Sequence, residues 1–220
     1  LQFNTRLNVC SIGGGPGNDS TALVLIKQQF LQSLVVQRNS SSSNGGGSSS
    51  KNSNGNSGRG YCDDDGEEEE DEYDVTCDLY DLEKSWKNYV PTLREIMSPH
   101  VGVEFNQCDV TKSLHQHSMN RQLDAKIGCY DLFMFSYVCN ETSAMSEQAN
   151  GIFWREMATG AKKGAIFVFV DVIGYSQKAL KLVERHMRSV GPDDMFTSYD
   201  LTNEKIVGKA QVLVMQKVME

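Results

Sequence analysis

The chain has 220 residues, 39% of them hydrophobic, which is enough for one α/β domain with a buried parallel sheet and too few for two once its low-complexity stretch is set aside. Its formal charge of −8 is concentrated: residues 39–72 hold nine acids against two bases, leaving the remainder close to neutral. So balanced a remainder lacks the overall basic excess of a nucleic-acid-binding domain, and no run nears the ~18 apolar residues of a membrane span.

The sequence begins with Leu1 instead of methionine and carries no signal-peptide pattern, so it reads as a piece of a longer, intracellular protein, cytoplasmic or nuclear. Residues 9–12 suit a buried strand. Gly13, Gly14, Gly15 and Gly17 then allow the positive φ angles and close backbone approach that a side chain would block. Asn18 or Asp19 is placed to cap a helix whose apolar positions Leu23, Ile26, Phe30 and Leu34 recur at spacings of three and four. Strand, glycine turn and helix start together present backbone N–H groups and a positive dipole end to a ligand, so a nucleotide-type pocket is expected there.

Residues 39–72 are almost exclusively Ser, Asn and Gly at first and acidic at the end, with the single aromatic Tyr61. Such a segment buries too little apolar area to offset its ordering entropy, and it reads as a disordered insertion within a single domain spanning 1–220. Ordered sequence is expected from Tyr73, with a short strand over 75–77 ending at the carboxylate Asp78. Leu82, Trp86, Tyr89, Leu93 and Met97 follow at helical spacing, with Pro91 breaking or restarting the helix.

A third strand over 101–105 leads to Asp109, a polar helical segment is expected over 111–123, and the apolar run 131–137 reads as a central strand. Met145, Ala149, Ile152, Phe153 and Met157 mark one face of a helix over 145–161. A strand buried on both faces follows at 165–170, ended by Asp171, then a helix over 177–189 stopped by Gly191-Pro192. Apolar strands at 196–201 and 209–219, joined through 203–205, form a closing hairpin. Alternating strands and helices with short crossovers force parallel, right-handed units. The fold class is therefore α/β, a three-layer sandwich with a doubly wound, mainly parallel seven-stranded sheet and a terminal antiparallel strand.

No two of the six cysteines (Cys10, Cys62, Cys77, Cys108, Cys129, Cys139) have the spacing of a zinc or redox pair, and no metal is expected. Cys10, Cys77, Cys108 and Cys139 lie in or beside strand-like runs and read as small apolar core residues. The four histidines read as surface residues, and Trp86 and Trp154 as packing residues.

On these motifs the chain resembles the class I S-adenosylmethionine-dependent methyltransferases, over its ordered length and in strand order. Gly13, Gly15 and Gly17 fit the family's first motif, G-x-G-x-G, whereas the oxidoreductase form would want a glycine where Asn18 stands. The resemblance implies S-adenosylmethionine as cofactor, with its methionine part against those glycines. It further implies that Asp78, at the end of the second strand, accepts hydrogen bonds from the ribose hydroxyls, a task for which a carboxylate offers two oxygens. Asp81, three residues further on, competes for that role but falls past the expected strand end. Asp109 resembles the family's acid at the adenine amino group, or caps the segment that starts at Thr111. Ser136 with Tyr137 fits the fourth motif, between cofactor and substrate.

The family's chemistry is in-line displacement of a methyl group from a sulfonium, in which the enzyme chiefly positions a nucleophile. The turn Ser136-Tyr137-Val138-Cys139-Asn140-Glu141 lacks the prolines of the enzymes that methylate exocyclic base nitrogens. Asn140 and Glu141 are the candidates for touching substrate or acting as base, or else they cap a helix near Met145. Cys139 as a nucleophile lacks the Pro-Cys context of base-carbon methyltransferases. The form of 12–17 followed by Asp19 also resembles eukaryotic relatives acting on RNA, which the near-neutral remainder does not reinforce, so RNA or protein is favoured as acceptor with small molecules close behind. Two other readings are a catalytically silent scaffold subunit and a nicotinamide-dependent oxidoreductase, the latter resting on a Tyr-x-x-x-Lys match at Tyr80 and Lys84.

Overall fold

Alternation with a period of two builds the sheet. Along β4 (Leu132–Ser136), Phe133 and Phe135 face one core, and Leu132 and Met134 pack on the other. The same alternation runs through β1 (Leu7–Ile12), β2 (Val75–Asp81), β3 (Val101–Gln107) and β5 (Ile166–Val172). The computed structural model describes residues 7–13, 75–97, 101–172, 176–200 and 210–218. The glycines beyond Gly13, the expected first helix, the 39–72 insertion and the 203–205 loop lie outside the described residues.

With β6 (Phe196–Asp200) and β7 (Ala210–Lys217) the strand order is β3-β2-β1-β4-β5-β7-β6. β1 to β5 are parallel, and β7 runs antiparallel to both β5 and β6. This is the expected doubly wound sheet with its reversed terminal strand. The order turns around between β1 and β4, so a crevice is expected at the carboxyl ends of those strands.

The larger core lies on one face. Phe133 stacks on Phe167 and Phe135 on Phe169, each with ring centroids 4.7 Å apart, as their in-register positions on β4 and β5 require. Trp154, on helix α4 (Ile152–Gly160), closes edge-on against Phe135. Helix α5 (Ser176–Arg188) buries Ala179, Leu180, Val183 and Met187 at helical spacing on the same side. The smaller core, on the opposite face, holds Val9, Cys77, Leu79, Val101 and Val103, with Leu93 of helix α1 (Val90–Met97) packed on it.

Several expectations are corrected. β2 does not end at Asp78 but runs on to Asp81, because Leu79 and Tyr80 continue both the strand pairing and the burial. The segment 82–97 is a 3-10 helix (Lys84–Tyr89) followed by α1, with Pro91 in the first turn of α1, where its missing N–H costs nothing. Most of 111–123 is irregular, and helix α2 covers only Arg121–Lys126. There the buried Asn120 side chain accepts from the Asp109 N–H and donates to the carbonyls of Asp109 and Ser113, bonds that compete with a helical ladder.

The single helix expected over 145–161 is two, α3 (Val138–Gln148) and α4, broken at Asn150 and Gly151, both with positive φ. Gly151 is needed twice over: its φ is 59°, and a Cβ there would lie 2.2 Å from Cγ of His186. His186 is thus a buried residue, 7% exposed, and not a surface one. Burial, and then the charges of Arg185 and Arg155, hold its pKa below the ordinary value. Cys10, Cys77, Cys108 and Cys139 are buried, as expected, and none of them is in a disulfide. No described helix is long and apolar enough to cross a membrane.

Candidate active site

β1 leaves the sheet at Gly13, whose N–H donates to the Tyr80 carbonyl at 3.0 Å. Its φ of 75° favours glycine, and a Cβ would stand 2.9 Å from the Ser136 carbonyl oxygen and 3.0 Å from Cβ of Val138. The first glycine of the corner therefore lies directly against the end of β4. Gly15 and Gly17 lie outside the described residues.

Next to it β2 ends in Asp81, opposite Gln107 of β3, and the Asp81 carbonyl accepts from the Cys108 N–H at 3.0 Å. One carboxylate oxygen of Asp81 accepts from the Glu83 N–H at 2.9 Å. Burial outweighs that bond and raises the Asp81 pKa above the ordinary aspartate value. A partly desolvated carboxylate at a strand end, with acceptor capacity in hand, suits a ligand that brings hydroxyl donors.

Asp78 stands three residues back, inside the strand and 8% exposed. Its Oδ2 accepts from the Tyr130 hydroxyl at 2.5 Å and from Lys126 Nζ at 2.9 Å, and the Tyr80 hydroxyl donates in turn to Tyr130. The bond to Asp78 raises the Lys126 pKa, and burial raises those of both tyrosines. Asp78 is thus engaged in a buried polar chain below the carboxyl end of the sheet. The strand length decides this, and Leu79 and Tyr80, both good strand formers, were the sequence signal for it.

Asp109 follows β3. Its Oδ1 accepts from the Thr111 N–H at 2.9 Å and from the Thr111 hydroxyl at 2.6 Å, so one oxygen caps the turn. The cap expected as an alternative is present, and it leaves the second oxygen outside those two bonds.

Ser136 closes β4 as a buried residue. Tyr137 follows with φ 63°, a left-handed conformation rare for a non-glycine residue, and the residue is 49% exposed. Its N–H donates to the Val170 carbonyl at 2.8 Å. Helix α3 then starts at Val138, so Asn140 and Glu141 lie in its first turn and not before a helix near Met145. Glu141 is exposed, placed well for the positive end of the helix dipole. The Asn140 N–H donates to Oδ2 of Asp171, a buried residue of β5 that the sequence marked only as a strand end.

Cys139 is buried in the same turn. Burial first, and then the charge of Asp171, push its thiol pKa up, which is the reverse of an activated nucleophile. Among the described residues no group of His, Cys, Asp and Glu could hold a metal ion, and His115 pairs with Asp124 at 2.8 Å on the surface.

No protein-family profile matches the chain, and no curated protein matches its sequence. Solved structures do match. A proposed rRNA methylase from Clostridium thermocellum is 13% identical with a TM-score of 0.51, over 97% of this chain and 87% of that one. The carbon methyltransferase of DszA is 8% identical with a TM-score of 0.50, over 99% of this chain and 48% of that one. PigF with SAH gives 12% identity and a TM-score of 0.50, over 99% of this chain and 58% of that one. The chain thus spans about half the length of two of these three proteins. Likeness at such identities is likeness of fold, and the fold of this chain is that of the class I S-adenosylmethionine-dependent methyltransferases.

Proposed function

We propose that the chain binds S-adenosylmethionine at the carboxyl ends of β1 to β4 and transfers its methyl group to an acceptor in RNA or protein. The observation that carries this reading is the meeting of Gly13, Asp81 and the β4 end, with a glycine where a Cβ would fill the space. Gly13, Gly15 and Gly17 would take the methionine part of the cofactor, Asp109 its adenine and Ser136 its inner side. Asp81 fits the ribose role that the sequence suggested for Asp78, because it is the acid at the true strand end and Asp78 is already bonded to Tyr130 and Lys126.

When bound, the cofactor supplies an electrophilic methyl carbon on a sulfonium. The protein's own task is then to orient an acceptor nucleophile in line with that carbon and to keep water away from it. Asn140 and Glu141, in the first turn of α3, are the candidates for contacting the acceptor or taking its proton. One of the structures of like fold is named as a proposed rRNA methylase, which makes RNA the first acceptor to test. That no described cysteine is in a disulfide supports a reduced compartment, cytoplasmic or nuclear.

Calorimetry with S-adenosylhomocysteine tests the cofactor reading. The folded chain is expected to bind it saturably, and absence of binding by folded chain would refute the proposal. Transfer of labelled methyl groups to RNA and protein fractions then separates the two acceptor classes. Cofactor binding with no transfer to either fraction would identify a silent scaffold instead.

A further inference from the structure

The turn between β4 and α3 is latched from both sides. On one side Gly13 approaches so closely that even a Cβ would touch the Ser136 carbonyl. On the other, β5 supplies two partners: the Val170 carbonyl accepts the Tyr137 N–H, and Asp171 Oδ2 accepts the Asn140 N–H, both at 2.8 Å. Helix α3 has no capping side chain of its own, since Tyr137 occupies the cap position without such a bond. A Ser, Thr or Asp at that position would satisfy the same helix end locally. The cap comes instead from the adjacent strand, and it ties the helix start to β5.

Asp171 is only 1% exposed, so its charge is far from bulk water. Its second oxygen accepts from the Val172 N–H at 2.8 Å, which fixes the carboxylate plane. Two charge-assisted bonds to backbone N–H groups and the positive end of α3 offset the cost of burying it. Across the turn sits Tyr137, in a left-handed backbone conformation that is strained for a non-glycine residue and persists only where the surroundings over-determine it.

We propose that Asp171 is a positioning residue for methyl transfer, holding Tyr137 and the first turn of α3 in the geometry that presents the acceptor. The proposal rests on the methyltransferase reading given above. Asp171 touches neither cofactor nor acceptor; it acts through the turn. Losing it frees the Asn140 N–H and lets Tyr137 relax from its left-handed conformation, while the glycine corner and Asp81 keep their places.

The test compares the full chain with Asp171→Asn, which keeps size and loses charge, and with Asp171→Ala. Backbone hydrogen exchange of residues 138–141 is expected to quicken about tenfold in Asp171→Ala, with residues 166–170 of β5 and with β7 unchanged. Labelled methyl transfer to the acceptor fraction used by the unaltered chain should fall about tenfold in kcat for either variant, with the KM for S-adenosylmethionine held within about twofold. Unchanged exchange at 138–141 would overturn the proposal. So would unchanged kcat, or a kcat that falls only as far as the folded fraction falls in a thermal melt. If the unaltered chain does not bind S-adenosylhomocysteine, the methyltransferase reading fails. The exchange arm then decides by itself whether Asp171 holds the turn.

Discussion

β2 carries two carboxylates three residues apart, and they live in opposite environments. Asp78 lies within the sheet, where one of its oxygens is met by both a tyrosine hydroxyl and an ammonium group of the protein itself. Asp81 lies where the strand ends, bonded to backbone N–H groups of the turn that follows, with burial outweighing those bonds and raising its pKa. The same residue type thus serves cohesion in one place and leaves capacity for a ligand in the other. Position relative to the strand end separates the two, and the contrast predicts that stability and cofactor binding respond to different substitutions.

The largest effect is expected at the junction both depend on. Gly13→Ala forces a side chain into a left-handed position and against the Ser136 carbonyl. It should cost roughly 2 kcal/mol or more in denaturant unfolding and abolish measurable binding of S-adenosylhomocysteine. Unchanged stability would mean that the corner is looser than its geometry implies.

Asp78→Ala comes next, and it acts on stability. It takes the carboxylate acceptor from the buried Tyr130 hydroxyl, which keeps only Tyr80, and leaves Lys126 with Glu104 as its remaining carboxylate partner, so unfolding should become easier by about 2 kcal/mol. Affinity per folded molecule should hold. A loss of affinity larger than the loss of stability would move the ribose role back to Asp78.

Asp81→Asn reverses that pattern. Binding of S-adenosylhomocysteine should weaken by roughly 1–3 kcal/mol, with stability held or slightly raised because a desolvated charge is removed. The pH dependence has a definite sign. Since the folded pKa is raised, protonation of Asp81 favours the folded ligand-free chain, and its contribution to stability is lost as pH rises from the ordinary aspartate value through the raised one. Cofactor affinity moves the other way, falling as pH drops through that window, and Asp81→Asn should flatten the profile. The smallest effect is expected for Lys126→Met, about 1 kcal/mol or less of stability, because Lys126 is 39% exposed and solvent screens its pair with Asp78.

The architecture was legible in the sequence because strands such as 166–170 are near-continuous apolar runs and helices such as α5 repeat at three and four, although that strand buries only the face of Phe167 and Phe169 and leaves Ile166 exposed, not both faces as expected. Boundaries were not. Asp78 looked like a strand end because a carboxylate is unusual inside a sheet, and its partners Tyr130 and Lys126 lie about fifty residues away in sequence. The break between α3 and α4 depends on Gly151 facing His186, a contact across two elements that no local pattern announces. Asp171 is of the same kind: as the acid closing an apolar strand it was visible, but its bond to Asn140, thirty-one residues earlier, is tertiary. Lys217, buried on β7, likewise reaches the carbonyls of Thr159 and Ala161 at the end of α4.

Titration calorimetry with S-adenosylhomocysteine on the unaltered chain, Asp81→Asn and Asp78→Asn tests the division between the two carboxylates most directly. Saturable binding is expected, weakened at least about fivefold by Asp81→Asn and held within about twofold per folded molecule in Asp78→Asn. Binding lost in Asp78→Asn and kept in Asp81→Asn, with both variants folded, would contradict it.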